Sequence, residues 1–199
     1  MMAGTTGMAG QAATTETPAG VSEAIGALAA AWADVAAAVL ADRPRRFLTT
    51  MCEALAAVTP PWEDLDAAPL HERIHRRLLI GPGFDAWLLA WPQGGSTELH
   101  DHGGASGGFS VVAGTLQELS AGAGRPGRTC WRAGGRAAAF GPAWVHDMVN
   151  EDAALATSVH VYRPAITSMT YYEGWGSELR PVRVERVDDV AELTLGRAA

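Results

Sequence analysis

Hydrophobic and polar positions divide the chain into a helical first part and a β-rich second part. From Val21 onward, Ile25, Leu28, Trp32, Val35 and Val39 recur at the spacing of one helix face, and Ser22 stands where an N-cap belongs. Pro44 interrupts that helix. A second helix is predicted from Pro44 to Val58, ending before Pro60-Pro61, because a residue that precedes proline is biased out of the α region. After about Arg73 the pattern changes. Ala86–Trp91 reads as a buried strand, and Phe109–Val112 and Thr115–Leu119 read as short strands around a turn at Gly114. Ala137–Phe140, Trp144–Val149 and Ala156–Tyr162 continue the series, separated by Gly94-Gly95, Gly134-Gly135 and Gly141-Pro142. Val182, Val184 and Val187 suggest one last edge element. The expectation is a mostly β fold, a sandwich or small barrel with an N-terminal helical extension. Residues 1–19, mostly Gly, Ala, Thr and Met, predict a disordered tail, and 20–72 predict helices packed on a β domain of 73–199.

Composition narrows the function. The 199 residues suit one domain, and 48% hydrophobic residues can fill a sizeable core. With a net charge of −7 and no long basic stretch, no nucleic-acid partner is expected. An anionic substrate would need a local cation in its pocket. No signal peptide is apparent, and the Ala-rich stretch from Ala24 to Leu40 is too weakly apolar for a membrane span. A soluble, cytoplasmic protein is expected. Cys52 and Cys130 make neither a disulfide framework nor a C-x-x-C zinc pair, and both read as buried or idle thiols.

The chemistry concentrates in histidines. In His100-Asp101-His102, ligands two residues apart on a strand point to one face and can share a metal. Gly94 stands six residues before His100 and Gly114 twelve after His102. Later, Gly135 precedes His146, and Asn150 follows it by four. This spacing resembles the paired motifs of cupin jelly-roll barrels. The Glu usual in the first motif is missing, since its place falls at Ser106 or Gly107. Three neutral imidazoles would leave a divalent ion its full charge and open positions. Imidazole suits Fe, Zn, Cu and Ni alike, so ligand type does not choose among them.

The stretches Leu99–Ser106, Val111–Glu118, Val145–Asn150 and Ser158–Pro164 together resemble the cysteine dioxygenase family in its bacterial, actinobacterial-like form. The resemblance implies a cupin β-barrel whose cofactor is iron(II), Fe(2+), held by His100, His102 and His146. It implies dioxygenation of L-cysteine by O₂ to cysteine sulfinate, by a monomer. Ser158, His160 and Tyr162 map onto a hydrogen-bonded series in which the His orients the Tyr hydroxyl toward the substrate. An early-strand Arg that grips the substrate carboxylate maps onto Arg77, with Arg76 as the alternative; neighbours on a strand face opposite ways, so one of them points inward. Animal members join a Cys to the active-site Tyr through a thioether. Gly107 stands in that place, so no crosslink is expected. Trp87, Trp91, Trp131 and Trp144 read as core filling, and Asp101 as a residue that fixes a turn or faces solvent. Rival readings are a dioxygenase of 3-mercaptopropionate or another small thiol, a non-catalytic cupin that senses a metal or ligand, and a three-His zinc enzyme.

Overall fold

The computed structural model describes residues 44–61, 64, 70–81, 83–121 and 127–187, with Gly20, Glu23, Ala24, Gly26 and Ala27 as isolated helical positions before them. The expected tail of 1–19 and most of the helix expected from Val21 lie outside the described residues.

Helix α1 spans Pro44–Val58, the bounds expected from sequence. Proline suits its first position, where no intrahelical partner for an N–H is lost. Phe47, Leu48, Met51, Cys52 and Leu55 fall on one face and are fully buried. That face covers a five-stranded antiparallel sheet of order β1-β2-β8-β3-β6. Its strands are β1 (Ile74–Gly81), β2 (Phe84–Trp91), β3 (Ser106–Ala113), β6 (Ala138–Phe140) and β8 (Ala156–Arg163). The remaining strands are β4 (Thr115–Ser120), β5 (Gly127–Arg132), β7 (His146–Val149), β9 (Ser168–Glu173) and β10 (Arg180–Arg186). They form two ladders, β5-β4-β7 and β9-β10. The backbone of His100 joins these ladders by bridging His146 on one side and Tyr171 on the other.

Two antiparallel sheets facing each other make the jelly-roll barrel of a cupin. The strands expected around Ala86–Trp91, Phe109–Val112, Thr115–Leu119, Ala137–Phe140 and Ala156–Tyr162 are all present. The final edge element is β10, exposed along its whole length. β5 and β9 had not been singled out. The turn between β3 and β4 is at Gly114, whose φ of 71° favours glycine.

The alternation along β2 and β8 builds two cores. Ala86, Leu88, Ala90, Val159 and Val161 join the α1 face in one apolar cluster, with Phe47 and Phe84 in edge contact at 5.6 Å between centroids. Trp87, Leu89, Trp91, Phe109, Phe140, Met148 and Tyr162 point the other way, into the barrel. Among the described residues, no helix is long and apolar enough to cross a membrane. Cys52 is buried and Cys130 exposed.

Candidate metal centre

His100, His102 and His146 converge inside the barrel, and one ligand atom from each lies within 4.8 Å of the others. Ring centroids are separated by 4.8, 5.0 and 5.1 Å, a nearly equilateral triangle. All three side chains are buried. The two histidines of the H-x-H pair do not sit on a regular strand, as the spacing had suggested. His100 makes two isolated bridges outside any strand, and His102 precedes a turn. Asp101 shapes that turn: its Oδ1 accepts from Gly103 N at 2.9 Å, and its Oδ2 accepts from the Tyr172 hydroxyl at 2.7 Å.

Each ring is oriented by a different device. His100 Nδ1 donates to the Glu98 carbonyl at 2.8 Å, which leaves Nε2 as the free base. Glu98 presents that carbonyl from a left-handed backbone, with φ of 61°. Strain of this kind persists where the surroundings over-determine it. His146 Nδ1 donates to Glu118 Oε1 at 2.8 Å, again leaving Nε2. Glu118 also accepts the indole N–H groups of Trp144 at 3.0 Å and Trp131 at 2.9 Å. Burial would raise the Glu118 pKa, but these donors hold it below the usual carboxylate range. Trp131 and Trp144 are therefore more than filling. They lock the carboxylate that orients a ligand, the arrangement that fixes metal-binding imidazoles in general.

Among the described residues, His102 has no such partner. Both its ring nitrogens are buried without a hydrogen bond. The ring instead lies between Phe140 and Tyr162, with centroids 4.7 and 5.0 Å away and planes within 30° of parallel. Gly107 makes this stack possible, since a Cβ there would overlap the Phe140 ring and press on Tyr162. A buried imidazole with neither nitrogen satisfied is costly, and a metal bond to one of them removes part of that cost. Burial, then the neighbouring imidazoles, pushes the pKa of His100 and His102 well below the usual value. Both stay neutral and able to ligate. These residues fit a divalent ion of the imidazole-binding kind.

The Ser158–His160–Tyr162 series lines one wall of the barrel. Ser158 Oγ is 2.9 Å from His160 Nε2, and His160 Nδ1 is 3.3 Å from the Tyr162 hydroxyl. Burial lowers the His160 pKa to about 3 and raises that of Tyr162. On β1, Arg77 pairs with Trp87, a barrel residue, and Arg76 pairs with Leu88, which faces α1. Directly opposite residues share a face, so Arg77 is the inward one. Its guanidinium lies 4.6 Å from the Trp87 ring centroid, with Nε 3.9 Å from Asp85 Oδ2. Arg73, four residues earlier and not singled out from sequence, is a second cation of the site. Its Nε donates to Ser96 O at 3.3 Å, and its guanidinium is 5.6 Å from the Trp91 ring centroid. Its charge acts on His100, His160 and Tyr162. Glu118 was likewise missed. A charged residue in mid-strand reads as a solvated face, and its tryptophan partners lie 13 and 26 residues away in the chain.

Fold and site together describe a cupin barrel with a buried three-histidine cluster that can hold a metal ion. The model of the family "Cysteine dioxygenase type I" matches residues 51–174, more than half of the chain, and the chain belongs to that family. Family and histidine cluster make it a metal-dependent cupin dioxygenase, and the family implies a small thiol and O₂ as substrates. A search of curated proteins found no match. Solved structures similar to it include TT1209 from Thermus thermophilus, 17% identical with a TM-score of 0.45, covering 52% of this chain and 94% of that one. An oxalate oxidase in complex with glycolate is 16% identical with a TM-score of 0.43, over 50% of this chain and 54% of that one. A cupin-superfamily sugar phosphate isomerase from Silicibacter pomeroyi is 22% identical with a TM-score of 0.42, over 56% and 76%.

Proposed function

We propose that this protein is an iron(II)-dependent thiol dioxygenase that converts L-cysteine and O₂ to cysteine sulfinate. What carries the reading is a three-imidazole centre beside the Ser158–His160–Tyr162 wall in a chain of this family. Iron(II), held by His100, His102 and His146, would supply the Lewis acidity that favours the thiolate and the redox chemistry that joins dioxygen to sulfur. The protein supplies the rest. Neutral His100, His102 and His146 leave the ion its full charge, which favours the thiolate over the thiol. Tyr162 keeps its proton at neutral pH, because burial raises its pKa, and can donate a hydrogen bond to the substrate. Arg77 meets the substrate carboxylate. A guanidinium suits this because it is permanently charged and forked, and Asp85 stands on its Nε side.

One observation favours a second placement of the carboxylate. Arg73 acts electrostatically on His100, His160 and Tyr162 together. The test is oxygen consumption by iron-loaded protein across small thiols. L-Cysteine should be fastest, 3-mercaptopropionate slower, and cysteamine, which lacks a carboxylate, poor. Faster turnover of 3-mercaptopropionate would hand the assignment to that thiol. Arg77→Ala should weaken cysteine by roughly 10- to 150-fold while iron stays bound, since a charge-assisted contact contributes ~1.5–3 kcal/mol. Arg77→Lys should recover part. If Arg73→Ala takes the loss instead, the carboxylate sits on Arg73.

A further inference from the structure

Trp91 is fully buried at the end of β2, and its indole Nε1 donates to Ser158 Oγ at 2.8 Å. An indole N–H only donates, so Ser158 is the acceptor in that bond. The Ser158 side chain is itself fully buried, and its hydroxyl proton needs an acceptor of its own. Among the described residues, the group within reach is His160 Nε2, at 2.9 Å. With Nε2 accepting, the proton of a neutral imidazole resides on Nδ1. Nδ1 faces the Tyr162 oxygen at 3.3 Å and donates to it. The Tyr162 hydroxyl proton is then not taken by His160, in a residue whose ring lies against His102. In the reverse direction His160 Nε2–H would donate to Ser158. Oγ would then accept twice, and the proton left over would be that of Ser158, enclosed between Trp91 and His160, whereas in the first direction it is that of Tyr162, beside the three-histidine cluster where a ligand can accept it.

We propose that Trp91 is a positioning residue: its indole N–H sets the direction of the whole hydrogen-bond series, so that His160 is held as the Nδ1–H tautomer and Tyr162 keeps its proton for a ligand at the metal centre. The last step rests on the thiol dioxygenase reading above; the tautomer does not. Trp91 thus acts through Ser158 and His160 without touching the substrate.

The experiment is ¹⁵N NMR of histidine-labelled, metal-free protein at pH 7.5, with long-range ¹H–¹⁵N correlations that identify which His160 nitrogen carries the proton. The wild type should show Nδ1 protonated and Nε2 unprotonated, the reverse of the form that free histidine favours. Trp91→Phe keeps an aromatic ring and removes the donor, and it should bring in the Nε2–H form. Ser158→Ala should do the same, and Trp91→Phe added to it should change nothing further. With iron and thiol, Trp91→Phe should lower kcat about 10-fold, toward the value of Tyr162→Phe, with KM nearly unchanged. A wild-type His160 in the Nε2–H form overturns the inference, and so does a Trp91→Phe protein that stays Nδ1–H. Because the tautomer is read without turnover, a protein that oxidises no thiol but shows the expected tautomers defeats the function reading alone.

Discussion

Strands β2 and β8 carry two faces on one backbone, and the faces obey different rules. Toward α1 stand Ala86, Leu88, Ala90, Val159 and Val161, all apolar and buried. Toward the barrel stand Asp85, Trp87, Leu89, Trp91, Ser158, His160 and Tyr162, equally buried but mixed with polar atoms. Successive residues in a strand point to opposite faces, so a shift of one residue would exchange an apolar core for a polar wall. On the outer face contacts are interchangeable apolar area. On the inner face each polar atom needs a named partner, and where one is missing, as at His102, a ligand is expected. The comparison teaches why this sheet can be rigid and chemically specific together: α1 and the outer face stabilise the strands, and the inner face uses the order they provide.

The largest effect that separates the faces is on stability. Leu88→Ala should destabilise the protein by about 2–5 kcal/mol, the usual cost of emptying a buried leucine site, while the folded fraction binds metal normally. Denaturant unfolding beside metal titration checks both halves, and a change in metal affinity without loss of stability would break the distinction.

Acid should act through the inner face. His160 is neutral in both folded and unfolded chains above its ordinary pKa near 6.5 and contributes nothing to pH dependence there. Below that, the unfolded chain takes up a proton that the folded one refuses until about pH 3. Stability therefore falls as pH falls through this window. From pH 6.5 to 5 this amounts to about 2 kcal/mol from His160 alone, at 1.36 kcal/mol per pH unit. His100 and His102, both shifted down, act in the same direction; Glu118, also shifted down, adds to the loss only below its ordinary pKa of 4.5, and Asp85, shifted up by burial, acts against them. Unfolding of metal-free protein at pH 7.5 and pH 5 measures the sum, and His160→Phe should reduce it by about 2 kcal/mol.

The smallest effect concerns Glu118. Glu118→Gln still offers an oxygen to His146, but its amide cannot accept from both tryptophans. Metal affinity should drop roughly 10-fold, within the range such orienting partners contribute, with apo stability lowered less than in Leu88→Ala. An unchanged affinity would mean that backbone alone holds His146.

The same contrast explains how much was readable in advance. Helix α1 and the central strands were legible because periodicity records an apolar face, and the clustering of the three histidines because their residue type and spacing suit a shared metal. β5 and β9 were not, since Gly127–Arg132 is largely exposed and Ser168–Glu173 buries only Tyr171. Nor were Glu118, Arg73 and the Phe140 stack on His102, because each owes its role to a partner far away in the chain. Tryptophans looked like bulk in the sequence. Only the fold reveals that Trp91, Trp131 and Trp144 spend their N–H groups on Ser158 and Glu118. Gly107 is similar: its lack of a side chain reads as a missing Cys, and in space it is the gap that Phe140 and Tyr162 close.

The central claim is that three imidazoles hold one metal ion, and His102 tests it best, because its nitrogens have no hydrogen bond to lose. The decisive measurement is the iron bound per chain after anaerobic loading and desalting, in wild type and in His102→Ala. The account predicts close to one iron per chain in the wild type and nearly none in His102→Ala, with the fold intact by circular dichroism. A folded His102→Ala protein that retains a full equivalent of iron would contradict it.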